Sequence, residues 1–553
     1  MQPLSRRAFL AAGASIVVTA CSGSGDGASG GTSAPPSSTR ATDPPATTVA
    51  PTTQPTEPPT TVASTTTTTV APIDLSGDPF TLGVASGDPT VGRVVLWTRL
   101  APDAVNGGGM PDADVDVVWE VAADDGFAEV VASGTVTAEA RYAHSVHAIA
   151  ELEPGWWSYR FRVGRYTSPV GRTQTAPAPA DTPGTVRLAS ASCQNYQDGF
   201  YVAHRDLAAQ APDLVAWLGD YIYESGAATV GADGVVRSHG TPEPKDLAAY
   251  RDRYALYKSD PDLQAAHAAA PWFVIWDDHE VENNYAGTTP QDPADLDGFA
   301  ERRRQAYQAW WEHQPVDLPP PPDDGSEYRI YRERPWGDLL DITLLDGRQY
   351  RTDQACGDAT LDLDPACPET FDTDRTMLGD AQEQWLLDTL TASTATWNVI
   401  AQQTIFGDVT LAGAVLNYDQ WDGYPLERNR IVDSFDATTN QVVLTGDIHF
   451  GGTGNIRSGG RGTGTPVAVE FVATSISSGG LVDPAVTDVV KAIPDVVDAE
   501  LEHRGYILHT VTRDLWLAEY RMVTDVKSPD SDVFVHATYS VEAGTNLATI
   551  VQG

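Results

Sequence analysis

Between about residues 80 and 177, short runs such as RVVLWTRL, VDVVWEV and WWSYRFRV alternate apolar with polar positions and are separated by Gly, Pro and Asp. A period of two with closely spaced turn signals predicts the short strands of a β-sandwich. No cluster of acids, histidines or cysteines falls there, which assigns this part to packing or positioning. From about residue 185 the pattern changes. LVAWLGD, WFVIWDDHE, LLDITLLDGR, WNVIAQQ and VVLTGDIH are continuous apolar runs, as in strands buried on both faces, and ERRRQAYQAWWEH reads as a helix. Residues 482–502 carry a helix-compatible period, suited either to a lid or to an ordinary surface helix. Each apolar run ends in polar groups, and in α/β architectures the carboxyl ends of strands converge on a ligand.

The first 73 residues follow neither pattern. Arg6 and Arg7 precede an apolar stretch too short for a membrane span, and Val18, Thr19, Ala20 and Cys21 have the form of a lipobox. Residues 1–21 are therefore expected to be an export signal of twin-arginine type, with Cys21 lipidated; a plain cleaved signal with an incidental cysteine is the alternative. Residues 22–73 are almost all Ser, Thr, Pro, Gly and Ala, without an aromatic residue. Such a segment cannot offset its ordering entropy and is expected to be an extended tether. The chain would then sit outside the cytoplasm, at the cell surface or beyond it, touching membrane only through lipid at Cys21.

The 553 residues carry 76 Asp and Glu against 35 Lys and Arg, a formal charge of −41. That excess argues against a nucleic-acid surface, which needs a basic patch, and mildly favours small substrates over polyanions. There are four cysteines. With Cys21 lipidated and Cys356 paired to Cys367 across a short Gly/Asp/Pro loop, Cys193 remains alone, either buried as a small apolar residue or ligating a metal.

The candidate chemistry lies at four run ends: Ser192, Cys193 and Gln194; Asp220, Tyr223 and Glu224; Asp277, Asp278, His279 and Glu280 followed by Asn283 and Asn284; and Asp447 with His449. One such ending is unremarkable; four in this order are not. ASCQ, LGDYIYE, WDDHEVENN, LLDGRQYR and LTGDIHFGG together resemble the PhoD-type alkaline phosphatases, a branch of the calcineurin-like metallophosphoesterases related to purple acid phosphatases. The resemblance covers the chain from about residue 78. It implies an α/β metallophosphoesterase sandwich over residues 179–553, preceded by a smaller all-β domain of immunoglobulin or fibronectin type over residues 74–178.

The departures from the wider superfamily are informative. Cys193 replaces the usual first acid, Asp278 precedes His279, Gln402 or Gln403 falls where a single histidine is usual, and Asp447 takes a histidine position. Oxygen and sulfur in place of imidazole disfavour a di-zinc centre. The resemblance implies Fe3+ with one or two Ca2+ ions. Cys193, Asp220, Tyr223 and His449 are carried over to iron; Asp220, Asp447 and either Asn283 or Asn284 to calcium; Asp278 is a further ligand candidate. His279 is expected to contact phosphate or protonate the leaving oxygen, or else to orient an aspartate. Arg348 and Arg351 would bind phosphate or pair with Asp346 and Asp353. The loop holding Trp421, Asp422, Gly423 and Tyr424 is rim or core. The implied activity is phosphomonoester hydrolysis by attack of a metal-activated water or oxide; the alternatives are a diesterase acting on phospholipid headgroups or wall polymers, and a surface binding protein with a degenerate site.

Overall fold

The computed structural model describes Leu75 and residues 77–358, 366–410 and 413–553; the expected export signal, Cys21 and the expected tether lie outside the described residues. Two mixed sheets face each other. The first has ten strands, from one edge to the other Ala548–Gln552, Val533–Glu542, Leu515–Val523, Arg504–Val511, Val186–Ala191, Leu214–Trp217, Pro271–Val274, Val84–Thr90, Arg93–Arg99 and Ser145–Glu151. The second has seven: Arg332–Trp336, Leu340–Leu344, Trp397–Ala401, Gln441–Thr445, Pro466–Val472, Gly451–Arg457 and Val496–Glu500. Val215, Phe273, Ile342, Val399, Val442 and Val469 belong to one buried core supplied by both sheets. The continuous apolar runs are its strands, and Val186–Ala191, Leu214–Trp217 and Pro271–Val274 pair in parallel, as do Trp397–Ala401 and Gln441–Thr445. Parallel pairing brings their carboxyl ends to one rim. Helix Phe299–His313 forms where the periodicity predicts it.

The N-terminal part differs from an autonomous sandwich. Val84–Thr90, Arg93–Arg99 and Ser145–Glu151 continue the ten-stranded sheet, with Ser86 and Gly87 in parallel register with Pro271 and Trp272. Val115–Ala122, Val130–Ala138 and Trp156–Val163 pack on them as a separate small sheet, around Val94, Leu96, Val117, Val121 and Phe161. Gly87 makes the junction possible, because a Cβ there would lie 2.2 Å from the Pro315 carbonyl oxygen. Asp88 ties the two large sheets. Its buried carboxylate accepts hydrogen bonds from Arg332 Nε (3.0 Å) and Nη2 (2.7 Å) and from the Asp317 N–H (2.9 Å), with Arg334 at 3.3 Å.

The segment 482–502 is only briefly helical. Pro484–Val486 is a 3-10 turn, Thr487–Lys491 an α-helix of five residues, and Val496–Glu500 an antiparallel edge strand beside Gly451–Arg457. Pro494 and Asp495, the latter at φ 69°, end the helical course. Cys356 and Cys367 form a disulfide, and Cys193 is a buried free thiol. Among the described residues, no helix is long and apolar enough to cross a membrane.

Candidate metal centre

The four run ends meet. Cys193, Asp220 and the pair Asp447 and His449 follow three strands of the two sheets, and together with Asn284 they have φ between 52° and 62°. Such conformations are sparsely populated by L-residues and cost of order 1–3 kcal/mol each, so the surrounding structure must over-determine them. Glu280 is part of that structure. Its buried carboxylate accepts the backbone N–H groups of Asp220 (3.1 Å), Tyr221 (2.5 Å) and Asp277 (2.9 Å), knotting two strand ends together.

On one side of the centre, a thiol, a carboxylate oxygen and a ring nitrogen from Cys193, Asp220 and His449 lie within 4.8 Å of one another. The Tyr223 hydroxyl donates to Asp220 Oδ2 at 2.8 Å and lies 2.9 Å from His449 Nε2. The Gly479 carbonyl sits 2.7 Å from His449 Nδ1, which fixes the N–H there and leaves the Nε2 lone pair facing the cluster. Asp220 Oδ1 is buried without a hydrogen-bond partner. Burial, reinforced by Asp278, Asp277 and Glu280, pushes the Asp220 carboxyl well above its usual range against the pull of His279. Burial and the Asp220 charge raise Cys193 and Tyr223 as well, while burial lowers His449 to about 3. A buried group of acids that cannot ionise together is a donor set suited to a cation.

On the other side lie more oxygens. Asp278 accepts the His279 N–H at 2.9 Å and the Asn284 N–H at 2.6 Å. Although burial opposes it, Arg348 and His279 hold the Asp278 carboxyl below its usual range. Asp447 Oδ2 accepts from Gln420 at 2.6 Å, and burial raises its carboxyl to about 7 against Arg348. Asp419 accepts hydrogen bonds on Oδ1 from Arg348 Nη1 (2.8 Å) and Gln354 Nε2 (2.7 Å). A cavity of about 680 Å³ opens between the two sides and onward toward Arg504 and Lys527, lined near the centre by Asp220, Tyr223, Asp278, His279, Asp419 and Asp447.

His279 is locked in place. Its Nδ1 lies 2.6 Å from Glu224 Oε2, and its ring stacks on Tyr223 with centroids 4.0 Å apart, leaving the opposite ring edge for the cavity. Burial alone would lower its pKa, but Glu224, Asp220 and Asp278 raise it well above the usual value, favouring imidazolium. Asn283 and Asn284 both line the cavity, yet their side chains have other partners: Asn283 donates to Gln291 at 2.8 Å and Asn284 to Asp358 at 2.7 Å.

Arg348 and Arg351 do not meet the cavity as phosphate binders. Arg348 is buried, with Nε on Asp277, Nη1 on Asp419, and Nη2 at 3.7 Å from Asp278 and 3.6 Å from Asp447. Arg351 holds Asp419 at 3.1 Å and the Tyr424 hydroxyl at 3.1 Å. Nor do their guanidinium groups pair with Asp346 or Asp353; Asp346 accepts the Arg348 backbone N–H instead, at 3.0 Å. Gln402 and Gln403 are buried and spent on Thr445 (2.7 Å) and on the Trp276 carbonyl (2.7 Å). Trp421 and Tyr424 are core, and the rim is formed just before them by Asn417, Asp419 and Gln420. Glu224 and Glu280, candidate groups to which the sequence assigned no separate role, hold His279 and three backbone N–H groups, whereas Asp419 and Gln420 adjoin the WDGY stretch without a signal of their own.

The family model for the PhoD-like phosphatase matches residues 188–520, and that for the PhoD-like phosphatase N-terminal domain matches residues 65–177. The chain is 44% identical over 477 residues to alkaline phosphatase D of Bacillus subtilis (strain 168), an alignment covering 84% of this chain and 81% of that protein. It superposes on a solved structure of PhoD with a TM-score of 0.83 at 43% identity, over 87% of this chain and 94% of that one. Two matched domain models, this degree of identity and a shared fold around the converged acids lead to one conclusion: the chain belongs to the PhoD-like phosphatase family and is a phosphoric ester hydrolase.

Proposed function

We propose that this phosphatase is an exported alkaline phosphomonoesterase whose centre holds Fe3+ and Ca2+. The observation that carries the metal assignment is the buried cluster of Cys193, Asp220 and His449 around the Tyr223 hydroxyl, with Asp220 Oδ1 left without a partner. Phenolate, carboxylate and thiolate are strongly donating anions suited to Fe3+, and Asp278, Asp419 and Asp447 with the amide oxygen of Asn284 are the hard oxygen donors Ca2+ prefers. Cations held by these residues would supply charge to neutralise phosphoryl oxygens and to acidify an attacking water.

The protein's own groups do the rest. Gly479 and Glu280 fix His449 and Asp220 before any ligand arrives, so little reorganisation accompanies binding. His279, held by Glu224, presents its free ring edge to the cavity and is the group that delivers a proton to the leaving oxygen. Residues 1–21 would direct export and Cys21 would carry the lipid anchor, with residues 22–73 as the tether.

The test is hydrolysis of a small phosphomonoester at alkaline pH by metal-replete protein, before and after chelation. Activity is expected to vanish with a calcium chelator and return with Ca2+, with iron retained in elemental analysis. Indifference to chelation would sink the calcium assignment, and cleavage of diesters only would replace the monoesterase reading.

A further inference from the structure

The cavity continues beyond the metal-ligand groups to a far wall built from residues 233–235, 477–481, 502–504 and 523–527. Two cationic side chains stand in that wall. Arg504 is 7% exposed, and its Nε and Nη1 are fixed on the carbonyl oxygens of Ser478 (2.9 Å) and His503 (2.8 Å). The acids that act on its charge, Glu500 and Asp198, both stand beyond ion-pair distance, although acids outnumber bases in the chain by 76 to 35. Gly480 leaves it room, because a Cβ there would lie 2.2 Å from Arg504 Nη2. Lys527 stands at the mouth on a turn in which Asp525 accepts its backbone N–H at 2.9 Å, with its ammonium over Gly234. A buried guanidinium with no acid in direct contact is costly unless an anion completes it.

The acids at this end are already occupied or turned to solvent. Asp198 accepts the Gly479 N–H at 2.9 Å, Asp525 accepts the Lys527 N–H, and Asp233 and Glu502 are exposed. Glu500 is bound to His503, at 3.0 Å from Nδ1. Arg504 and Lys527 both act on the charge of Asp198, which is consistent with their facing the same space.

We propose that Arg504 and Lys527 form a second anion subsite on the leaving-group side, so that the enzyme prefers phosphate esters whose leaving group carries an oxyanion of its own. This rests on the transferred phosphoryl group lying at the Asp220, Asp278 and Asp447 cluster. The oxyanion is a phosphate or a carboxylate, and three substrates with a common three-carbon frame separate these: propyl phosphate, 3-phosphooxypropanoate and propane-1,3-diyl bisphosphate. With the metal-replete enzyme, kcat/KM for one or both of the charged esters is expected to exceed that for propyl phosphate by about tenfold, the worth of one charge-assisted contact. Lys527→Met should cut that ratio severalfold and Lys527→Arg should retain it. Lys527 lies in an exposed loop, so neither variant burdens folding. Equal kcat/KM for all three esters, or a ratio unmoved by Lys527→Met, overturns the subsite alone. Failure to cleave any of the three overturns the placement of the phosphoryl group and the subsite with it.

Discussion

His279 reaches the cavity on one edge only, because Glu224 holds the other edge and Tyr223 covers a face. Its role is therefore separable from that of its holder. His279→Gln is expected to lower kcat by about a hundredfold or more, the usual worth of a positioned general acid. Glu224→Gln should lower kcat by about tenfold, since the imidazole stays but loses its fixed orientation and its stabilising charge. Steady-state kinetics on metal-replete variants of equal metal content would check both; a fall in metal content with His279→Gln would instead mark the imidazole as a ligand. At this scale the sequence was most legible where a side chain ends an apolar run, as at Cys193, Asp220, Asp447 and His449. It was least legible where a residue acts on the backbone. Glu280 serves three N–H groups and Gly479 lends only a carbonyl, and neither leaves a ligand-like spacing. The arginines misled for a related reason: in a chain so rich in acid, Arg348 is surrounded by carboxylates from distant segments, and its near neighbours in sequence are not its partners.

Among the elements, the ion pair of Asp88 with Arg332 decides how the two large sheets are joined. Burial raises the Asp88 carboxyl, but Arg332 and Arg334 outweigh it and the folded-state pKa is depressed. The sign follows: a carboxylate with a depressed pKa stabilises the fold above its unfolded value near 4 and loses that contribution as pH falls further. Asp88→Asn should cost about 3 kcal/mol at neutral pH, because it leaves the buried Arg332 charge without its partner. The difference in unfolding midpoint from the wild type should shrink as pH is lowered below about 4; a difference constant with pH would assign the loss to packing. Strand and helix positions followed from periodicity, since these depend on neighbours in the chain. The join of Val84–Thr90 to Pro271–Val274 did not, because a parallel pairing between segments so far apart leaves no local signal. Residues 482–502 show the opposite failure, a helical period overruled by Pro494 and by the open edge of a sheet.

For the molecule as a whole, the charge of −41 sets the electrostatic background. Self-repulsion among unpaired acids disfavours the compact state at low ionic strength, and salt screens it once the Debye length falls to about 8 Å. Thermal unfolding should therefore shift upward between low salt and about 0.15 M NaCl; an unchanged midpoint would mean that the ion pairs already neutralise the folded surface locally. The order of the ten-stranded sheet has a consequence for synthesis. Its functional strands Val186–Ala191, Leu214–Trp217 and Pro271–Val274 are flanked on one side by strands made first and on the other by Arg504–Val511, made almost last. A nascent chain still attached to the ribosome therefore carries the run ending in Cys193 with one hydrogen-bonding edge bare until Arg504–Val511 has emerged. Premature termination anywhere before residue 504 would release a product with an open, apolar strand edge, a substrate for chaperones and proteases rather than a weakened enzyme.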